Sequence, residues 1–296
     1  MPELPEVETI VRLLAPNVGG KRIVEAELRL GRMLLGSNPD NFSARLKQQA
    51  IVRVIRRGKY IIFELDNLSL IIHLGMTGQL TFSPADALED ETFLRTVTGL
   101  QKARGVHPVD KHTHLILQLQ GKDRILFRDP RTFGKIFLME GHQWETHSRI
   151  RILGQEPLTL KIKAFVLDHF PSTSHRPIKS LLLDQSFVAG VGNIYADEAL
   201  FRSGIHPSHP VRELNRAKGI QLMEAVKFVL LSGIKNSGTT FSDYRKPDGT
   251  KGSNFERLQV YGRGGKPCRT CRATLVKTVV AQRGTVFCPK CQIKKK

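Results

Sequence analysis

Apolar residues follow two rhythms along the chain, and the change of rhythm divides it. At the start, Val7, Ile10, Val11 and Leu14 recur at i, i+3, i+4 and i+7, and Pro5 suits a first helical turn, so a helix is predicted from Pro2 to about Val18. From Lys21 to about Glu140 the apolar runs shorten, at 51–55, 60–65, 70–74, 114–119, 125–127 and 135–139. They are rich in Ile, Leu, Val and Phe and punctuated by Gly, Asn and Asp, which predicts the strands of a β-sandwich. Residues 83–111 are polar, of mixed charge, and fit neither rhythm; they are read as an inserted loop. After turn residues at 154–157, helical spacing returns at 165–169, 178–183, 194–203 and 213–231, the last with Leu222, Ala225, Val226 and Val229 on one face. Residues 236–254 are rich in Gly, Ser, Thr and Asp and are expected to form a mobile loop. The reading is an α+β multidomain chain: a mostly-β domain with an N-terminal helix over 1–153, a helical domain over 154–254, and a cysteine module over 255–296.

The length of 296 residues accommodates more than one hydrophobic core. No apolar run approaches the roughly 20 residues that cross a bilayer. The first residues carry acid where a signal peptide carries base, so a cytoplasmic chain without a membrane is expected. Charge narrows the function further. Lys and Arg number 46 against 27 Asp and Glu, a formal net charge of +19. An excess of that size repels itself and points to a polyanionic partner, nucleic acid first; the alternatives are a basic protein that is merely soluble, or one that sits on RNA or anionic lipid. Composition does not choose between DNA and RNA.

All four cysteines lie in the last 29 residues, as Cys268-x2-Cys271 and Cys288-x2-Cys291 with 16 residues between the pairs. Each pair can place two thiolates on one metal, and the intervening segment is long enough for a β-hairpin to bring the pairs together. One structural Zn2+ in a Zn(Cys)4 site is the expected result. Arg263, Lys266, Arg269, Arg272, Lys277, Arg283 and Lys290 surround it, as a hairpin touching a phosphate backbone requires.

The N-terminus offers a different chemistry. Removal of Met1, which a small second residue permits, would leave Pro2 with a secondary amine whose pKa is near the α-amino value of about 8. A useful fraction is then neutral near physiological pH. Attack of such an amine on a sugar C1′ gives an iminium that stays cationic without a proton and acts as an electron sink. Glu3 and Glu6 lie beside it; for Glu6, chemistry and complementing the helix dipole are both open.

The string Pro2-Glu-Leu-Pro-Glu-Val-Glu8 resembles the start of the bacterial formamidopyrimidine-DNA glycosylases. Further strings in that family's order extend the resemblance over nearly the whole chain. They are Arg56-Arg-Gly-Lys-Tyr60, His73-Leu-Gly-Met-Thr-Gly78, Lys111-His-Thr-His114, Asp129-Pro-Arg-Thr-Phe-Gly134, Ile178-Lys-Ser-Leu-Leu-Leu-Asp184, Gly190-Val-Gly-Asn-Ile-Tyr195, Val260-Tyr-Gly-Arg263 and, within the cysteine module, Gln282-Arg-Gly-Thr285. The resemblance implies a β-sandwich, a helix–two-turn–helix domain and a zinc finger that enclose a DNA cleft. It implies excision of oxidised purines from double-stranded DNA, followed by β- and δ-elimination, by a monomer in a bacterial cytoplasm.

It also implies roles for particular residues. Pro2 is the nucleophile, Glu3 the acid/base, and Lys59 a contact to the damaged nucleotide that moves protons during elimination. Arg283 holds a phosphate and assists the second elimination. Met76, Arg131 and Phe133 fill the gap left by an extruded nucleotide: apolar wedges replace lost stacking and an arginine fork bonds the orphaned cytosine. Asn193 and Lys179 hold phosphates, and His112 contacts DNA. His73, inside a strand-like run, reads as a satisfied core histidine. Thr132 departs from the family, which often has a second basic residue there. Two rivals are an endonuclease VIII-type glycosylase for oxidised pyrimidines and a zinc-finger DNA-binding protein without activity.

Overall fold

A computed structural model describes residues 1–85, 109–171, 173–240 and 244–293. The expected inserted loop, 83–111, therefore falls mostly outside the described residues. Two compact units emerge, Met1–Arg151 with Asn236–Ser253, and Ile152–Lys235 with Asn254–Lys296. This division differs from the sequence-based boundary. The segment Asn236–Ser253, read as part of the helical domain, belongs with the first unit.

In the first unit, α1 (Leu4–Val18) buries its predicted stripe: Val7, Ile10 and Leu14 are fully enclosed and Val11 nearly so. Two four-stranded antiparallel sheets follow. One has the order β1 (Ile23–Leu28), β6 (Thr113–Leu119), β7 (Arg124–Arg128), β5 (Gln79–Ser83); the other β2 (Ile51–Arg57), β3 (Tyr60–Leu65), β4 (Leu68–His73), β8 (Lys135–Glu140). Ile23, Leu115, Leu117 and Phe127 of the first sheet share one core with Phe63, Leu70, Ile72 and Ile136 of the second and with the stripe of α1. That is a sandwich, as the strand rhythm predicted. The central strands β3 and β4 are buried almost throughout, which explains their continuous apolar sequences.

Among the described residues, two strands of the sandwich and one α-helix escaped the sequence reading. In β1 a bulge between Ile23 and Glu25 breaks the alternation, and only Ile23 and Ala26 are buried. The short helix α2 (Pro39–Leu46), capped by Asn38, buries two apolar residues, Phe42 and Leu46. The five-residue β5 lies at a sheet edge and is too short for periodicity to show.

The segment expected to be a mobile loop is well anchored where it is described. The Thr239 N–H donates to Glu6, the Ser253 N–H to the Asn236 carbonyl and the Gly252 N–H to Thr240 Oγ1, while the Pro247 carbonyl accepts the N–H of Phe82. Tyr244 is buried in the sandwich core.

The second unit contains α3 (Ile162–His169), α4 (Ile178–Leu183), α5 (Asn193–Arg202), α6 (Arg216–Lys235) and a hairpin of β9 (Val276–Val280) and β10 (Arg283–Phe287). Helices α5 and α6 pack so closely that a Cβ at Gly233 would lie 2.5 Å from the Tyr195 hydroxyl. Among the described residues, no helix is long and apolar enough to cross a membrane.

Helix α5 organises the approach to the cysteine module. Its buried Glu198 accepts the backbone N–H groups of Gln259, Val260 and Tyr261 at 2.8, 2.9 and 2.9 Å. Replacing one carboxylate oxygen by an amide NH2 turns an acceptor toward donors. Glu198→Gln should therefore lower the stability of this unit by about 1–3 kcal/mol. The expected reading is a reduced urea midpoint with an unchanged m-value. An unchanged midpoint would show that this carboxylate does not hold the segment.

Candidate functional site

The first unit gathers the residues read as catalytic at one end of α1 and one β-turn. Pro2 is buried, and Glu3 and Glu6 are 2% and 1% exposed. Glu3 caps α1 in a reciprocal capping box, in which Glu6 Oε2 accepts the Glu3 N–H at 2.8 Å. The second oxygen of Glu6 accepts the Thr239 N–H at 2.7 Å. Glu6 therefore complements the helix start and also ties it to the segment Asn236–Ser253, a role that sequence spacing could not show. Lys59, buried, sits in the two-residue turn between β2 and β3.

His73 ends β4 opposite Tyr60, and the two rings lie 4.8 Å apart. Burial, together with the positive charges of Lys59 and Arg149, holds its imidazole at about 4, so it is neutral at physiological pH. Its Nδ1 accepts the N–H of Gly75 at 3.1 Å. It is thus only in part the satisfied core histidine that the sequence suggested: it is half-buried and feels the charge of Lys59.

The wedge candidates are presented by two loops that one carboxylate joins. Asp129 is fully buried; it accepts the Thr77 hydroxyl at 2.5 Å, the Gly134 N–H at 2.7 Å and the Arg131 N–H at 3.3 Å. Gly75 makes the close approach possible: at φ 62°, a Cβ there would lie 2.6 Å from the backbone of Phe133. Held this way, Met76 and Phe133 are 41% and 47% exposed, and the Arg131 guanidinium lies 4.6 Å from the centre of the Phe133 ring. Both apolar residues stand in solvent rather than in the core where such residues usually lie.

Thr132 adopts φ 54°, and its hydroxyl accepts from Arg32 at 3.3 Å. His112 is half-buried, and its carbonyl accepts the Asp129 N–H at 2.8 Å, which places it beside the same loop. Asp129 was legible only as part of a motif. Its role needed the fold, although an Asp-Pro pair at a strand end was a signal of a built turn.

In the second unit, Asn193 opens α5 after Gly192; its amide donates to the Gly284 carbonyl at 2.9 Å, while its Oδ1 is buried without a partner among the described residues. Arg283 stands exposed where β10 leaves its turn, whose residues Ala281 and Gln282 both have positive φ.

Lys179 has a partner set that the sequence did not show. It is fully buried, and its ammonium reaches Asp197 Oδ1 at 2.6 Å, Thr285 Oγ1 at 2.7 Å and the Gly284 carbonyl at 3.1 Å. Its charge is met by Asp197 and two of its protons by Thr285 and the Gly284 carbonyl, so in this structure Lys179 holds the hairpin, a role the sequence did not show. Asp197 completes the arrangement by accepting the Val286 N–H at 3.0 Å.

Cys268, Cys271, Cys288 and Cys291 place their sulfurs within 4.8 Å of one another. N–H groups of Thr270 and Cys291 point at the sulfurs of Cys268 and Cys288, each at 3.4 Å. Burial and the neighbouring sulfurs push the Cys291 thiol up, so four thiolates this close require a cation among them. Four sulfur ligands this close together fit a structural zinc ion.

Comparison with known proteins follows the same lines. The model of the formamidopyrimidine-DNA glycosylase N-terminal domain matches residues 1–136, that of the formamidopyrimidine-DNA glycosylase H2TH domain residues 153–245, and that of a zinc finger found in FPG and IleRS residues 265–293. The formamidopyrimidine-DNA glycosylase of Roseiflexus sp. (strain RS-1) is 40% identical over 294 residues, 99% of this chain and all of the relative. That of Moorella thermoacetica is 40% identical over 272 residues, 92% of each chain. Among solved structures, a complex of Lactococcus lactis Fpg with DNA containing an abasic site matches with a TM-score of 0.84 at 33% identity, covering 99% of this chain and all of that one. Three domain models in succession and full-length identity admit one assignment: the chain belongs to the formamidopyrimidine-DNA glycosylase family.

Proposed function

We propose that this protein is a bifunctional DNA glycosylase and abasic-site lyase of base excision repair that removes oxidised purines from double-stranded DNA. The observation that carries the reading is the buried group of Pro2, Glu3 and Lys59 in the same unit as the exposed trio Met76, Arg131 and Phe133. The names of the relatives and the DNA in their solved complexes support it. A net charge of +19 suits a phosphate backbone as partner.

In the proposed reaction the damaged nucleotide is extruded, and Met76 and Phe133 occupy the stack it leaves. The neutral Pro2 amine, freed by removal of Met1, attacks C1′ and the bond to the base breaks. Glu3 delivers a proton to the sugar oxygen as the ring opens to the iminium. Loss of a C2′ proton expels the 3′ phosphate, and a second elimination expels the 5′ phosphate. Lys59 accepts and returns protons beside the neutral His73, while Asn193 and Arg283 hold phosphates. Zinc, when bound, crosslinks the hairpin that presents Arg283. We read the protein as a monomer acting in a bacterial cytoplasm. A Lactococcus lactis relative has been solved with DNA containing an oxidised pyrimidine, so substrate ranking includes that class.

Purified protein should carry one zinc per chain by elemental analysis, and removal by a strong chelator should weaken DNA binding. Fully active protein without metal would contradict the structural role of the site. Arg131→Ala should lose discrimination for the base opposite the lesion, worth roughly 1–3 kcal/mol for a good fork, more than it loses cleavage of abasic DNA. Equal losses on the two substrates would indicate a folding or phosphate defect.

The amine itself is tested by keeping Met1 or adding an N-terminal extension. An amide nitrogen is not nucleophilic, so both chemical steps should vanish while DNA binding survives. Glu3→Gln should lose base excision and retain more cleavage at abasic sites. Mass spectrometry of the borohydride-trapped, proteolysed complex should find the sugar on Pro2; attachment to Lys59 or another residue would overturn the mechanism.

A further inference from the structure

A guanidinium ties the turn that carries Lys59 to the helix that follows Pro2 and Glu3. Arg56 is the penultimate residue of β2, and its side chain is 8% exposed. Its Nε donates to Glu8 Oε2 at 2.8 Å, and its Nη1 donates to the Gly58 carbonyl at 3.0 Å. Glu8 lies in the second turn of α1, and Gly58, at φ 56°, immediately precedes Lys59. Burial opposes an ionised Glu8, but Arg56 and Arg12 hold its carboxyl below the usual range, so the pair is charged at neutral pH.

Val7, Ile10, Val11 and Leu14 of α1 pack into the same apolar core as this sheet, and apolar packing is non-directional. It sets how far the helix stands from the sheet better than its position along its own axis. A planar fork bonded at once to a helix side chain and a turn carbonyl sets direction as well, which a lysine cannot do.

We propose that Arg56 and Glu8 are positioning residues for the reaction: the Arg56 guanidinium, held by Glu8 on α1 and by the Gly58 carbonyl, sets the placement of the Pro2 amine relative to the Lys59 ammonium. This rests on the reading of Pro2 and Lys59 given above. Neither Arg56 nor Glu8 touches the reacting atoms; they act through the backbone segments they clasp.

The test uses the full chain with Met1 removed. Single-turnover borohydride trapping is measured on a duplex with an abasic site at saturating protein, and affinity for the same duplex by fluorescence anisotropy. Because misplacement by about 1 Å can cost roughly 100-fold, Arg56→Lys and Glu8→Gln should each slow trapping about tenfold or more with Kd unchanged. The double variant should be no slower than the slower single one, since both break the same clasp. Arg12→Ala removes the other partner of Glu8 and leaves the clasp, so its trapping rate should match the parent.

Thermal melting identifies folded variants, and Arg56→Lys, which keeps size and charge, carries the test if Glu8→Gln does not fold. Multiplying effects in the double variant, slowing explained by lost affinity, equal slowing by Arg12→Ala, or an unslowed Arg56→Lys would each overturn the proposal. Failure of the underlying mechanism is separable. Sugar trapped away from Pro2 in the parent defeats that mechanism, whereas sugar on Pro2 with unaffected variants defeats only the clasp.

Discussion

Buried carboxylates that accept backbone N–H groups hold the functional segments of both units. Glu6 bonds the N–H groups of Glu3 and Thr239; Asp129 bonds those of Arg131 and Gly134; Glu198 bonds three successive residues ahead of the cysteine module. An ionised carboxylate away from water is costly unless its lone pairs are filled, and charge-assisted bonds are stronger than neutral ones. A segment held this way cannot slip without leaving a buried acceptor and its donors unpaired. Each of these segments is therefore placed by a buried acidic residue.

That arrangement reconciles two opposing demands. In the proposed reaction Met76 and Phe133 enter a DNA stack, which requires side chains that are exposed yet ready in shape. Met76 and Phe133 stand in solvent, while the loops that bear them are pinned beneath by Asp129, Thr77 and the close passage at Gly75. The order lies in the backbone below and the availability in the side chains above. The same division appears in the second unit, where Arg283 is exposed and its hairpin is locked by the buried Lys179, Asp197 and Thr285. The four cysteines add a second lock to that hairpin, one that depends on metal chemistry rather than hydrogen bonding.

The sequence by itself determined six of the eight sandwich strands, the amphipathic stripe of α1, helix α4 to its ends and the cysteine quartet, because each is written in periodicity or in a short spacing. Motif strings carried the family and brought Met76, Arg131, Phe133, Pro2, Glu3 and Lys59 forward as candidates. The tertiary structure decided what those signals could not encode. A lysine in a motif shows its charge but not its neighbours, and only the fold brings Asp197, Gly284 and Thr285 to Lys179. The segment Asn236–Ser253 looked loose because its composition is that of a loop, yet its anchors are Glu6 and the sandwich core. The bulged β1 and the edge strand β5 lacked periodicity to read. Local pattern reports what a stretch of chain favours; the placement of a buried charge depends on which distant backbone amides and side chains reach it, and only the folded chain brings those together.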